Sequence, residues 1–229
     1  MIADKKEFYG GVGLMGGFLL VLFMMFLPLY QGQNGLNFLD NLFNSISKGS
    51  AYYIPKVKAD VAKSLAGKKM ALDLKFENEV QAGECLPLFT KGGATAIVEG
   101  KKLKVDGDLD QMMANCLEDS DALYYNKSNV LEAKYGIKGK QVLYNWWVSL
   151  KAMQKSLNDN EQFKEATAVY SVQTKAVECS YNYYTIEPQS MSSRLGVVIF
   201  ALVFYVIYTL WYGYAIMFMF EGWGLKISH

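Results

Sequence analysis

Arginine and histidine are almost missing from this sequence: Arg194 is its single guanidinium and His229 its single imidazole. One terminal histidine excludes bis-histidine haem ligation, a histidine-based zinc site and a Ser-His or Cys-His nucleophile pair in the interior. Without an arginine cluster there is no bidentate capture of phosphate or carboxylate, so phosphorylated ligands are not expected. Cysteine is scarce as well. Cys85, Cys116 and Cys179 lack the close spacings of zinc or haem sites, and no C-x-x-C-H, phosphate loop, dinucleotide fingerprint or metalloprotease motif occurs. Charge is absent altogether from two runs, residues 8–30 and 195–220.

Those two runs dominate what is present. A helix rises about 1.5 Å per residue and the hydrocarbon core of a bilayer is roughly 30 Å thick, so each run is long enough to span. The first exceeds the apolar region of a signal peptide and lacks a small-x-small cleavage site, which makes it an uncleaved anchor. Two crossings place the tails 1–7 and 221–229 on one side and everything between the spans on the other. Flanking Lys5, Lys6 and Lys226 outweigh Lys48 and Arg194, which points the tails inward. The expected location is the plasma (inner) membrane, multi-pass, with both termini cytoplasmic and an extracytoplasmic central domain.

Between the spans the charges nearly cancel, 20 Lys and Arg against 19 Asp and Glu. That balance offers no nucleic-acid footprint. The segment is of single-domain length. Residues 31–67 read as amphipathic and linker helices: Leu36, Leu39, Phe43 and Ile46 share one face, suited to the headgroup layer or to packing on the domain, and Pro55 opens a further helix. Residues 68–126 read as an α+β unit. Met70, Leu72, Leu74 and Phe76 alternate as a half-buried strand does, a helix covers 80–91, and two short strands flank Glu99-Gly100-Lys101. A helix capped by Asp108 then runs to Tyr125. The order implies a three-stranded sheet covered on one face by two helices. Residues 127–194 read as a helical hairpin and connector, with Val142, Trp146, Leu150 and Met153 inward on one arm and Phe163, Ala166, Tyr170, Val177, Tyr181 and Tyr184 on the other.

Each span carries a face suited to helix packing. Gly10, Gly13 and Gly17 share one face of the first helix, with Gly11 and Gly16 close by, and would let another backbone approach. In the second, Tyr205, Tyr208 and Tyr212 recur at helical spacing, and a phenol at membrane depth needs an acceptor that lipid tails cannot supply. Trp211 and Trp223 are expected on the lipid side as interface anchors.

Glu118, Asp119 and Asp121 form the densest acidic cluster; Glu118 and Asp121 share a face while Asp119 points elsewhere, and the cluster is expected on a solvated helix face. Trp146 falls in the core register, while Trp147 and Tyr144 lie at its edge, where they could face a ligand or partner. In an oxidising compartment Cys85 and Cys116, on the inward faces of the two sheet-covering helices, admit a disulfide. No catalytic group, metal ligand or cofactor-binding residue stands out.

The fold class that follows is a two-span transmembrane helical hairpin with an inserted α+β extracytoplasmic domain. Its expected role is that of a noncatalytic accessory or structural subunit of a multi-subunit integral membrane complex, respiratory electron-transfer or transporter, with other integral membrane subunits and the lipid bilayer as partners. The alternative is an extracytoplasmic ligand-binding or sensor domain that couples to partner membrane helices, and no nucleic acid is expected under either reading.

Overall fold

The computed structural model describes residues 2–30 and 32–225. Lys226 and His229 therefore lie outside the described residues. The chain divides into two compact units, Met1–Ile46 with Gln189–His229, and Ser47–Pro188.

The first unit is an antiparallel pair of apolar helices, α1 (Lys5–Phe26) and α10 (Leu195–Trp223), both long and apolar enough to cross a membrane. Asp4 caps α1, its Oδ1 accepting from the N–H groups of Lys6 at 2.8 Å and Glu7 at 3.1 Å. The helix stops four residues short of the end of its apolar run. Pro28 disfavours helical geometry at the residue before it, and Leu27 is accordingly extended. A 3-10 turn over Met191–Arg194 leads into α10, which ends at Gly224 with φ 93°, a left-handed position that suits glycine. In this unit Leu39, Leu42 and Ile46 of α2 (Gly35–Ser50) pack on Val197 and Val198 of α10. Neither surroundings foreseen for that amphipathic helix included the second span. Leu36 and Phe43 stay exposed.

The second unit is built around one continuous core. After α3 (Ile54–Ser64) come β1 (Lys69–Lys75), α4 (Glu79–Lys91), β2 (Thr95–Glu99), β3 (Lys102–Asp108) and α5 (Leu109–Tyr124). The sheet order is β1-β3-β2, antiparallel throughout, with Leu72 opposite Val105 and Leu74 opposite Leu103. All four are buried, whereas Asp73 and Lys104 on the other face are exposed, the alternation that a one-sided sheet requires. Gly100 turns the β2–β3 hairpin with φ 59°.

α6 (Ser128–Tyr135), α7 (Gly139–Asp159), α8 (Phe163–Val172) and α9 (Glu178–Asn182) complete the unit. α7 packs against β1 and α4, so a third helix joins the two expected on the sheet. The return arm is not one regular helix, because a π-helical turn over Gln173–Val177 joins α8 to α9. Its inward face also differs from the expected stripe. Phe163 and Tyr170 are exposed, and Ala166, Val169, Val172, Ala176 and Val177 fill the core. Ala166 and Val177 of the expected stripe are thus core, Tyr181 and Tyr184 pack against it half-buried, and only Phe163 and Tyr170 turn to solvent.

Candidate functional site

Within the helix pair the contact is made by small residues, though not by all of those the spacing singled out. A Cβ added to Gly11 would lie 2.7 Å from the Met219 N and 2.9 Å from the Ala215 carbonyl O, and one on Gly17 would lie 2.9 Å from the Trp211 ring. Gly10 and Gly13 have open space where a Cβ would go. On α10, Gly222 lies against the backbone of Phe8, and its carbonyl accepts from Ala3 N at 2.9 Å and Asp4 N at 3.0 Å.

Trp211 is not a lipid-side anchor. Its Nε1 donates to the Leu14 carbonyl at 2.9 Å, inside the helix pair, because it stands one turn from Ala215 on the contact face. Tyr208 stacks on Phe18 at 4.3 Å between ring centroids, with its hydroxyl 3.4 Å from the Phe18 carbonyl, long for an O–H···O bond. Tyr212 also touches the Phe18 ring, yet it is 46% exposed, and Tyr205 is 66% exposed. The three tyrosines thus divide: Tyr208 belongs to the helix pair, Tyr212 lies at its edge against Phe18, and Tyr205 turns outward.

In the second unit, Asp119 corrects the reading of its acidic cluster as a solvated face. Only Glu118 is exposed there, 4.0 Å from Lys58. Asp121 is half-buried and accepts from the Tyr52 hydroxyl at 2.7 Å. Asp119 is buried, its Oδ1 accepting from Lys134 Nζ at 2.6 Å and its Oδ2 from the Tyr135 hydroxyl at 2.6 Å and the Trp146 Nε1 at 2.8 Å. Asn115 donates to the Leu88 carbonyl and to the Tyr135 oxygen, and accepts from Lys134. Burial, and then the neighbouring Asp119 charge, raise the Tyr135 hydroxyl well above its ordinary range. With both oxygens engaged, the carboxylate ties α5 to α6 and α7. A signal was available: Asp119 stands three residues after Cys116 and four before Leu123, on the apolar stripe of α5.

Lys48 is a second buried charge, and no feature of its sequence neighbourhood announced it. Its side chain is inaccessible to solvent, donates to the Ile186 carbonyl at 2.6 Å and lies 4.8 Å from the Tyr124 ring centroid. Asn126, held at φ 58°, gathers the segment by accepting from Thr185 N and donating to Ile186 O and Glu187 Oε1. Burial lowers the Lys48 amine, and the Glu187 charge partly opposes that shift.

Cys85 and Cys116 are buried free thiols, and the disulfide that the layout admitted is not formed. The Cys85 sulfur points at the Asn145 carbonyl of α7, 3.6 Å away. Burial pushes its thiol up to about 11 and raises that of Cys116 well above its ordinary value, which favours the thiol over the reactive thiolate at both.

A cleft of about 330 Å³ is lined by Tyr144, Trp147, Val177, Glu178, Tyr181 and Asn182. Trp146 turns into the core and Trp147 to this edge, as consecutive helical positions must. The Trp147 Nε1 donates to Glu178 Oε1 at 2.8 Å, which fixes the indole against α9. Val177 closes the π-helical turn. Among the described residues no group of three or more His, Cys, Asp or Glu side chains is placed to hold a metal ion. Comparison with protein-family models, with curated proteins and with solved structures yields no match.

Proposed function

We propose that this chain is a noncatalytic accessory subunit of a larger integral membrane assembly, anchored by α1 and α10 and carrying the Ser47–Pro188 unit as an extracytoplasmic domain. One observation carries the reading: the two apolar helices cover only a thin strip of each other. Gly11 is the buried residue of α1, and Val198, Ala215 and Gly222 are those of α10. Leu19, Leu20, Phe23, Phe200, Val203, Tyr205 and Ile207 stay bare. A surface of that extent requires lipid or protein to cover it. The bare phenols of Tyr205 and Tyr212 favour protein over part of it, since hydrocarbon leaves a hydroxyl unpaired. Gly10, Gly13 and Gly16 leave α1 open to close approach by a further helix.

The test is extraction in a mild detergent followed by identification of stoichiometric co-purifying membrane chains, with wild type compared to Tyr205→Phe/Tyr212→Phe. Defined partners that dissociate more readily from the double variant are expected, while membrane insertion is unchanged. Recovery of the chain alone, or partners held equally by the variant, would refute the assembly role of this face.

A further inference from the structure

The cleft between α7 and α9 plays no part in anchoring or in the proposed assembly, and its chemistry is specific. Tyr144 and Trp147 present nearly parallel rings, 21° apart with centroids 6.4 Å from each other. Tyr181 and Val177 supply further apolar wall. The volume, about 330 Å³, lies at the small end of the roughly 300–1,000 Å³ typical of small-molecule sites. A π-helical turn ends at the cleft, a device that recurs at functional positions because it displaces the residues after it from the regular helical phase.

Charge at the rim selects among ligands. Three aromatic rings and a carboxylate would ordinarily suit a quaternary ammonium group. Here the carboxylate is already engaged by the Trp147 indole. Cations, moreover, already stand at the rings: Lys140 Nζ is 4.8 Å from the Tyr181 ring centroid and Lys151 Nζ 5.2 Å from that of Trp147. Lys138 and Lys140 line a shallow depression that continues the cleft past Tyr144 and Tyr181. Neither Lys140 nor Lys151 forms an ion pair among the described residues. One engaged carboxylate facing three exposed ammonium groups repels a cation and attracts an anion.

We propose that this cleft binds a small planar aromatic molecule carrying a negative charge, its ring system against Tyr144, Trp147 and Tyr181 and its anionic group toward Lys140 and Lys151. The anchored chain would then carry a ligand-responsive domain whether or not it assembles with other subunits.

Isothermal titration of the full chain in detergent micelles tests the proposal with three probes of one ring size: 2-naphthoate, neutral 2-naphthalenemethanol and the (2-naphthylmethyl)trimethylammonium cation. Partition into micelles is common to all variants and is removed by difference. The expected result is one saturable site for 2-naphthoate, weakened on the order of tenfold in Lys140→Gln/Lys151→Gln, as loss of charge-assisted contacts implies. The alcohol should bind more weakly than 2-naphthoate and be indifferent to the lysine changes. Tyr144→Ala should lower the affinity of both. If Tyr144→Ala fails to fold, the lysine variant decides, because both of its positions are exposed. Absence of saturable 2-naphthoate binding, binding unchanged in the lysine variant, or equal or tighter binding of the cation would each overturn the proposal.

Discussion

Asp119 and Lys48 are both buried charges, and they are compensated differently. Asp119 has three donors for two oxygens, one of them the Lys134 ammonium, so its charge is neutralised inside the unit. Removing it strands the Tyr135 hydroxyl, the Trp146 indole N–H and a partly exposed lysine. We expect Asp119→Ala to cost about 3 kcal/mol, the lower end for a broken buried pair because Lys134 can reach water. Urea denaturation checks this, and Lys134→Met in the same background should recover part of the loss.

Lys48 has a carbonyl and an amide oxygen but no carboxylate within ion-pair distance among the described residues. Its folded pKa is lowered by burial from 10.5. Between that lowered value and 10.5 the unfolded chain holds more protons than the folded one, so the residue's contribution to stability rises with pH across the window. Below the window the full cost of the buried charge remains. The melting-temperature difference between wild type and Lys48→Met should therefore move in favour of wild type as the pH rises from the lowered value toward 10.5. A difference that does not vary with pH would show that the amine stays charged at no unusual cost.

At the scale of elements, the pairing of α1 with α10 depends on where side chains are missing. Gly11, Gly17 and Gly222 face the partner helix closely enough that a Cβ would approach within 3 Å of it, whereas Gly10 and Gly13 face open space. In a membrane apolar burial does not favour a helix over lipid, and close packing with interhelical hydrogen bonds carries the association. Here the bond from Trp211 Nε1 to Leu14 O sits between the two glycine contacts of α1. The Phe8 and Trp223 rings lie 5.8 Å apart at the paired ends, so cysteines at these positions report the pairing through cross-linking by a short bifunctional thiol reagent. We expect Gly11→Leu to reduce that cross-linking severalfold and Gly13→Leu to leave it unchanged. Equal effects would mean that the two helices meet through another face.

At the scale of the whole molecule, two kinds of surface share one chain. The Ser47–Pro188 unit buries Leu74, Phe89, Met112, Trp146 and Leu150 in a single core and presents the polar side of its sheet to solvent. The helix pair has little interior. The central unit should therefore fold without the pair: a fragment spanning 47–188 is expected to be soluble without detergent and to melt cooperatively. An aggregated or noncooperative fragment would show that the helix pair contributes to the stability of that core.

Local pattern was enough wherever a property depends on neighbours along the chain. The alternation through Leu72 and Leu74, the Gly100 turn and the charge-free runs at 8–30 and 195–220 each located their elements, although α1 begins at Lys5 and ends at Phe26, because strand period, turn geometry and helix length are short-range quantities. Trp146 in the core and Trp147 at its edge followed from helical phase in the same way. What tertiary structure decided is which face meets which partner. The inward direction of Asp119 follows from its place on the apolar stripe of α5, but its partners Lys134, Tyr135 and Trp146 are brought to it by α6 and α7 from elsewhere in the chain. Gly11 rather than Gly10 or Gly13 meets α10, and Trp211 rather than the full tyrosine stripe meets α1, because a uniformly apolar helix has almost no moment to set its rotation. The buried Lys48 and the anion-suited cleft between α7 and α9 likewise depend on residues far apart in sequence, whose juxtaposition no local pattern encodes.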